Sequence, residues 1–165
     1  MYRHVEDLVR KANNGVVLSL SDALDILTAS GSRLTAYFSG AQRLKEQHFG
    51  DRIDLCSIIN AKSGRCAENC SFCAQSAHHR TNSPVYPLKP VAEIMAEAKQ
   101  AETNGSSCYS IVTSGTRIEP GDEFNRILTA LSLIQRETRL APSASLGILD
   151  KDSASALAKA GCRTY

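Results

Sequence analysis

Three short apolar runs alternate with helical patterns in the second part of the chain, and this alternation restricts the fold more than any other feature. The runs Ile53 to Ile59, Cys108 to Thr113 and Pro142 to Ile148 are predicted strands. The first has no helical cap and is expected to be buried on both faces. Cys162 to Tyr165 is expected to begin a further strand. Strands that alternate with helices predict right-handed βαβ units around a parallel sheet.

Helical repeats separate these strands and also fill the first 50 residues. Between the strands, apolar residues recur at helical spacing in three places: after Pro90, from Phe124 to Ile134 and from Lys151 to Ala160. Before the strands, three helices are predicted: over residues 2–13, after a cap at Ser19 or Ser21, and from Ser32 to about His48.

The predicted fold class is α/β, namely the N-terminal part of a (β/α)8 TIM-type barrel with about three βα units. A complete eight-stranded barrel needs about 200 to 250 residues, whereas this chain has 165. We therefore expect an N-terminal helical segment at 1–50 and a partial barrel domain at 51–165, truncated at its fourth strand. The alternative is an open α/β sandwich that is complete as it stands.

Composition narrows the functions that the chain could perform. A formal charge of +2, with Lys and Arg scattered among acids, predicts no nucleic-acid partner. No apolar run approaches the roughly 20 residues of a spanning helix, and no secretory signal is visible. We therefore expect no membrane association and a cytoplasmic location. In that compartment the six cysteines are not expected to form disulfides.

Three of these cysteines, Cys66, Cys70 and Cys73, lie close together at x3 and x2 spacing in a segment rich in loop residues. Three thiolates on one loop can hold three corners of a 4Fe-4S cluster and leave the fourth iron open. Two other interpretations stay open: a zinc site completed by His78 or His79, and thiols without any metal. Spacing alone does not decide between the metals, because sulfur suits both.

The loop that carries these cysteines runs from Asn60 to about Leu88 and follows the first predicted strand. In a parallel barrel the active site lies where loops leave the C-terminal ends of the strands. Thr113-Ser114-Gly115 and Leu146-Gly147 follow the next two strands, so the three loop starts are expected to face the same side. Taken alone, Gly and Ser at these positions are better explained by ordinary turns.

The cysteine spacing, with Phe72 before the last cysteine, resembles that of the radical S-adenosylmethionine family. Residues 62–76, KSGRCAENCSFCAQS, look closely like the corresponding stretch of the biotin synthases within that family. The resemblance continues through residues 105–115, residues 143–147 and residues 160–161 before Tyr165, and so covers most of residues 51–165. The helical segment at residues 1–50 resembles the family only in its helical character.

The resemblance implies that the three loop cysteines ligate a 4Fe-4S cluster whose open iron chelates S-adenosyl-L-methionine. One electron from the cluster then cleaves this cofactor to methionine and a 5'-deoxyadenosyl radical. The resemblance also implies that the backbone of Phe72 contacts the adenine, and that Thr113, Ser114 and Gly115 lie beside the methionine amino group. No side chain of this chain is assigned a catalytic role.

In biotin synthases the radical acts on dethiobiotin, and the inserted sulfur comes from a second, 2Fe-2S cluster inside the barrel. Where the family carries cysteine ligands to that cluster, this chain has Ser110 and Ser143. Serine is a poor substitute for a thiolate, so the second cluster is not expected in its usual form. Cys108 shares the predicted strand face of Ser110 and is more simply explained as a small buried residue than as a displaced ligand. These three residues form the candidate second-cluster region.

The predicted function is that of a biotin synthase-like radical SAM enzyme, a transferase of biotin biosynthesis that converts dethiobiotin to biotin by sulfur insertion. The resemblance implies a small-molecule substrate, an electron donor such as flavodoxin or ferredoxin, and a homodimer. Because the chain ends before the stretch in which the family binds substrate, we expect the isolated fragment to be inactive. Two alternatives stay open: a related radical SAM maturase or mutase without sulfur insertion, and a non-catalytic module that binds an iron-sulfur cluster or zinc.

Overall fold

Two units make up the structure, a computed structural model that describes residues 2–165. The first unit ends at Ile53, and the second runs from Asp54 to Tyr165. The helices of the first unit are α1 (Tyr2–Asn13), α2 (Leu20–Leu27) and α3 (Gly31–Phe49). The second unit contains, in order, β1 (Cys56–Lys62), α4 (Val91–Thr103), β2 (Cys108–Thr113), α5 (Asp122–Glu137), β3 (Ala141–Ser145) and α6 (Lys151–Lys159). No helix within residues 2–165 is long and apolar enough to cross a membrane.

A reciprocal pair of hydrogen bonds begins α2. The Ser19 hydroxyl accepts from the backbone N–H of Asp22 at 3.1 Å, and the Asp22 carboxylate accepts from the N–H of Ser19 at 2.9 Å. Lys11 of α1 donates to the same carboxylate at 3.0 Å. These hydrogen bonds, that from the Ser19 backbone first, lower the pKa of Asp22 to about 2. Of the two serines that the sequence offered as caps, the structure therefore uses Ser19.

Close packing of α1 against α3 forms the core of the helical unit. Its buried apolar side chains are Val5, Leu8, Ala36 and Tyr37. Gly40 of α3 allows the close approach, because a Cβ built there would lie 2.8 Å from Cγ2 of Val9. The unit is thus held together by one small apolar core around a helix-to-helix contact.

The three strands form one parallel sheet in the order β1-β2-β3. Cys56 pairs with Cys108 and Ser110 pairs with Ser143, so successive strands are in close register. Thr164 makes a parallel bridge to Ser143, in the segment where a further strand was expected to begin. The consecutive parallel strands are those predicted from the alternation of strands and helices.

The helices α4 and α5 cover one face of this sheet, and the main hydrophobic core lies between them. From the strands, Ile59, Ala61 and Ile111 point into this core and are buried. On the opposite face the Ile58 side chain is 67% exposed. The prediction that the first strand is buried on both faces is therefore wrong, because successive side chains alternate between faces and the helices cover only one.

Two strands also differ from their predicted bounds. β1 begins at Cys56 and continues to Lys62, whereas Ile53 and Leu55 remain exposed before the pairing with β2 begins. β3 ends at Ser145, before its predicted end, and Gly147 instead pairs with Arg117 of the loop after β2. The predicted bounds of these strands followed the apolar residues. They were shifted because apolar character does not show where hydrogen-bonded strand pairing starts.

Replacement of Leu131 tests the core between α5 and the sheet. Its side chain is fully buried, and truncation to alanine removes apolar contacts and leaves a cavity. We expect Leu131→Ala to lower the free energy of unfolding by about 3 kcal/mol, measured by urea denaturation followed by circular dichroism. The matched control, Ile148→Ala, removes an exposed side chain and should change it by less than about 0.5 kcal/mol. Equal losses from the two variants would contradict the assigned core.

Candidate functional site

A long segment, the cysteine loop (residues 63–90), leaves the C-terminal end of β1 and leads to α4. Its two sides are joined, because Ser63 and Tyr86 exchange both backbone hydrogen bonds, at 3.1 and 2.6 Å. The N–H of Lys89 donates to the carbonyl of Ala61 at 2.8 Å. The buried Ser63 hydroxyl donates to the carbonyl of Pro84 at 2.6 Å. The loop is therefore anchored on both sides to the end of the strand.

A smaller ring of backbone hydrogen bonds encloses the cysteines. Cys66 donates to the carbonyl of Gln75 at 2.9 Å and accepts from the N–H of Ala77 at 2.8 Å. Between these points, Cys73 donates to the carbonyl of Cys70 at 3.0 Å and closes a turn. The three cysteines therefore share one closed segment of backbone.

The Ser76 hydroxyl braces this closed segment from within. The residue is only 4% exposed, and its hydroxyl donates to the carbonyl of Glu68 at 2.6 Å. The same oxygen accepts from the backbone N–H of His78 at 3.2 Å. One buried side chain thus connects the beginning and the end of the segment that holds the cysteines.

The two histidines of the loop also contact its backbone. Nε2 of His78 lies 3.0 Å from the carbonyl oxygen of Ala67, and Nε2 of His79 lies 2.9 Å from that of Cys70. Each ring therefore donates a hydrogen bond to a residue inside the cysteine segment. This bracing role differs from the zinc ligation that the sequence left open for them.

The three thiols of the loop are not joined to other cysteines. Cys70 is exposed, while Cys66 and Cys73 are half-buried, and all three are free. Within residues 2–165 no three Cys, His, Asp or Glu side chains converge on a single metal-ion position. An iron-sulfur cube binds each thiolate through a different iron, so its ligands need not meet at one point. Three free sulfurs on one anchored loop are a donor set that fits such a cluster.

The end of β2 lies beside the start of the cysteine loop. Ser114 donates its N–H to the carbonyl of Lys62 at 2.9 Å, and a Cβ built on Gly64 would lie 3.6 Å from Oγ of Ser114. A cavity of about 340 Å³ opens here and is lined in part by Lys62, Thr113 and Ser114. Nζ of Lys62 lies 2.5 Å from a carboxylate oxygen of Glu123 at this cavity. Two of the predicted cofactor contacts, Thr113 and Ser114, therefore line a cavity next to the cysteine loop.

The other two predicted cofactor contacts, Phe72 and Gly115, lie near these elements in the chain. Phe72 belongs to the closed cysteine segment, and its ring is 93% exposed. Gly115 follows Ser114 with a positive φ of 120°, a backbone conformation that favours glycine. The structure describes the positions of these residues, and their contacts with a cofactor stay a prediction.

The loops after β2 and β3 meet the cysteine loop at the same edge of the sheet. Gly147 forms an antiparallel bridge with Arg117, and a Cβ on Gly147 would lie 2.2 Å from the carbonyl oxygen of Thr116. With a φ of 85°, this position requires glycine. The Thr116 hydroxyl in turn donates to the Glu68 carboxylate at 2.7 Å. Small and polar loop residues therefore bring the three strand ends into contact.

The candidate second-cluster region lies on the face of the sheet opposite the helices. Ser110 donates from its hydroxyl to that of Ser143 at 3.4 Å, and both residues are buried. Cys108 lies two residues earlier on β2 and is half-buried. Burial, followed by the neighbouring Cys56 thiol, raises the pKa of Cys108 to about 11. Burial likewise raises the pKa of Cys162.

The contacts that hold the cysteine loop were not expected from the sequence. Ser63 and Ser76 flank the three cysteines within the stretch KSGRCAENCSFCAQS, and both are buried and hydrogen-bonded. Both hydroxyls donate to backbone carbonyls, which leave no pattern of residue types in a sequence. The only available signal was their position immediately outside the cysteine spacing.

Comparison with known proteins agrees with this combination of a parallel α/β sheet and a cysteine loop. A sequence profile of the Radical SAM superfamily matches residues 61–165. The fold and the loop thus define the class, and the chain belongs to the radical SAM superfamily. It is 50% identical over all 165 residues to biotin synthase of Geotalea daltonii and 51% identical to biotin synthase of Geotalea uraniireducens. In both comparisons the chain spans 50% of the length of the relative.

A solved structure supports the fold class independently. The crystal structure of methylornithine synthase superposes with a TM-score of 0.70 over 94% of this chain and 45% of that chain, at 22% sequence identity. Identity at this level shows the fold alone. The predicted fold class, the N-terminal part of a (β/α)8 barrel, is confirmed.

Replacement of Ser76 tests the bracing of the cysteine loop. Ser76→Ala leaves the Glu68 carbonyl without its buried donor, so we expect a loss of about 1 to 2 kcal/mol in the free energy of unfolding. Amide hydrogen exchange should rise in residues 66–79 before it rises in the sheet. Ser71→Ala changes an exposed serine of the same segment and is the matched control. Unchanged exchange in Ser76→Ala would contradict the bracing role.

Proposed function

We propose that this chain is the N-terminal portion of a biotin synthase-type radical SAM enzyme, which converts dethiobiotin to biotin. Two findings support the proposal. The chain belongs to the superfamily, and about 50% of its residues are identical to those of proteins named biotin synthase. Because those relatives are about twice as long, the substrate site is expected to need residues beyond the partial barrel. The 165 residues alone are therefore expected to bind the cofactors without making biotin.

The anchored cysteine loop at the C-terminal edge of a parallel sheet is the observation that carries the proposal. We assign Cys66, Cys70 and Cys73 as the three ligands of a 4Fe-4S cluster. When bound, this cluster supplies the electron that cleaves S-adenosylmethionine to methionine and a 5'-deoxyadenosyl radical. The chain's own contribution is to hold three thiolates on a braced backbone and to leave the fourth iron without a protein ligand.

The neighbouring strand end is assigned to S-adenosylmethionine. Thr113, Ser114 and Gly115 would lie beside its methionine portion, and the exposed segment at Phe72 beside its adenine. The proximity of Ser114 to Gly64 supports this assignment, since it places the end of β2 next to the first residues of the cysteine loop. Ser76, His78 and His79 would act as positioning residues, because their side chains hydrogen-bond to backbone carbonyls of the loop.

A second candidate function differs in the last step. A radical SAM maturase or mutase that does not insert sulfur is favoured by one observation, the Ser110–Ser143 hydroxyl pair at positions where biotin synthases generally carry cysteines. A protein electron donor such as flavodoxin or ferredoxin would be needed in either case. A homodimer is part of the proposal only through the resemblance to biotin synthases.

Anaerobic reconstitution with iron and sulfide tests the cluster assignment. We expect about four irons and four sulfides per chain at the cysteine loop, because three thiolates hold a 4Fe-4S cube. Cys70→Ala should lose this iron and its visible absorption, while Ser71→Ala, the adjacent exposed residue, should keep both. Stoichiometric zinc bound in place of iron by the colourless protein would refute the assignment.

Addition of S-adenosylmethionine to the reduced, reconstituted chain distinguishes an enzyme from an electron-transfer module. An open iron can bind the amino and carboxylate groups of the cofactor, so we expect a change in the electron paramagnetic resonance spectrum. S-adenosylhomocysteine, which lacks the sulfonium charge, serves as the comparison ligand. Methionine, as a product of cofactor cleavage, should appear only with S-adenosylmethionine. A spectrum that does not respond to saturating S-adenosylmethionine would favour the non-catalytic module.

A further inference from the structure

The cysteine loop encloses a cavity that is distinct from the one at the end of β2. We call it the loop cavity; it has a volume of about 500 Å³ and is lined by residues 63–65, 74–77 and 79–85. Among the described residues, it shares no lining residue with the cavity at Lys62 and Thr113. The loop therefore has a second concave surface, which the cluster and cofactor assignments do not use.

Two arginines line the loop cavity without an ion-pair partner. Arg65 and Arg80 are exposed, and within residues 2–165 neither guanidinium forms a salt bridge or a hydrogen bond. The remaining cation of the loop differs, because Lys89 is paired with Glu93 and lies 2.9 Å from a carboxylate oxygen of Glu97. The unpaired positive charge of the loop is thus concentrated at the cavity.

Negative charge is scarce around these arginines. Glu68 is the only acid in residues 63–90, and its carboxylate already accepts from the Thr116 hydroxyl at 2.7 Å. Among the described residues that line the loop cavity there is no Asp or Glu. A surface with unpaired cations and no compensating acid attracts negatively charged groups. The partner that fits the loop cavity is therefore acidic.

The composition of the surface favours a protein over a small ligand. Val85 lines the loop cavity beside the arginines, and its side chain is 68% exposed. Protein interfaces combine apolar surface with a polar rim and are enriched in arginine. Pockets for small molecules are instead lined mainly by apolar side chains and enclose most of the ligand. Exposed arginines next to an exposed valine match the first description.

The loop cavity is adjacent to the backbone that carries the three sulfurs. Arg65 immediately precedes Cys66, and the His79 ring, which also lines the cavity, contacts the carbonyl oxygen of Cys70 at 2.9 Å. None of the three loop cysteines is among the described lining residues. A protein bound at the loop cavity would therefore lie against the cysteine segment and leave the sulfurs to the cluster.

We propose that the loop cavity, with Arg65 and Arg80, is the docking surface for an acidic one-electron carrier protein. The carrier is oxidised by one electron, the cluster assigned to the cysteine loop is reduced by one, and no atom or proton is transferred. The electron-transfer step rests on the proposed function, whereas the docking needs only the residues of this chain. The two arginines attract the carrier at long range and then form charge-assisted hydrogen bonds with its carboxylates.

Binding to the chain without iron tests the docking surface by itself. The probe is an acidic flavodoxin, and its affinity is measured by isothermal titration calorimetry at low salt. We expect Arg65→Gln/Arg80→Gln to weaken binding about tenfold, because charge-assisted contacts are lost. The matched control, Lys151→Gln/Lys159→Gln, removes two exposed positive charges from α6 and should change the affinity by less than about twofold. Equal weakening in the two variants, or no binding to the unaltered chain, would overturn the proposal.

Salt and phosphate distinguish a docked protein from a small bound anion. The Debye length falls from about 10 Å at 0.1 M to about 3 Å at 1 M ionic strength, so added salt should weaken binding. The loss should be less steep for Arg65→Gln/Arg80→Gln, and an unchanged salt dependence would contradict the docking surface. At equal ionic strength, phosphate should compete no better than chloride. Specific displacement of flavodoxin by phosphate would overturn the proposal in favour of a small-anion site.

Reduction of the reconstituted chain separates a failure of docking from a failure of the proposed function. Stopped-flow absorbance follows the cluster after mixing with reduced flavodoxin at subsaturating concentration. We expect reduction to be about tenfold slower in Arg65→Gln/Arg80→Gln, while dithionite, a small reductant that needs no docking surface, should reduce both chains within about twofold of the same rate. Equal rates with flavodoxin would overturn the docking surface and leave the cluster assignment intact. Flavodoxin binding that depends on the arginines, in a chain that assembles no cluster, would refute the cluster assignment and support the docking surface.

Discussion

Parallel pairing of β1 with β2 is the constraint on which the rest of the α/β unit depends. In a parallel ladder both strands end at the same edge, so the loops that follow them must start side by side. The hydrogen bond from the N–H of Ser114 to the carbonyl of Lys62 joins the two loops where they leave the strands. Had the strands been antiparallel, the cysteine loop and the Thr113-Ser114-Gly115 turn would lie at opposite edges. The parallel strand order thus brings the loops of the site together, whichever side chains those loops carry.

The cysteine loop shows how a long irregular segment can be held without a hydrophobic core of its own. The contacts around its cysteines are polar: two backbone bonds between Ser63 and Tyr86, a buried hydroxyl at Ser76, and two histidine rings on loop carbonyls. Buried hydrogen bonds of this kind are costly to break singly, because each leaves a carbonyl without a donor. The arrangement fixes the backbone that carries the three sulfurs and leaves them at least partly exposed, which suits a donor set for an inorganic cluster.

Sulfur and oxygen donors are segregated on the open face of the sheet. The first register row carries the Cys56 and Cys108 thiols, and the Ser110–Ser143 hydroxyls lie further along the same strands. The hydroxyl pair bears on the choice between biotin formation and a radical reaction without sulfur insertion, because it lies at the positions where biotin synthases generally carry cysteines.

The sequence by itself determined the element order, the parallel α/β class and the three clustered cysteines, because helical and strand periodicity and residue spacing are local properties. It misplaced the ends of β1 and β3 and expected β1 to be buried on both faces, since apolar character does not report which neighbours cover a strand. Only the tertiary structure decided that Ser76, His78 and His79 brace the loop and that Cys56 adjoins Cys108. Those contacts join residues distant in the chain or use backbone carbonyls, and neither leaves a mark in residue spacing.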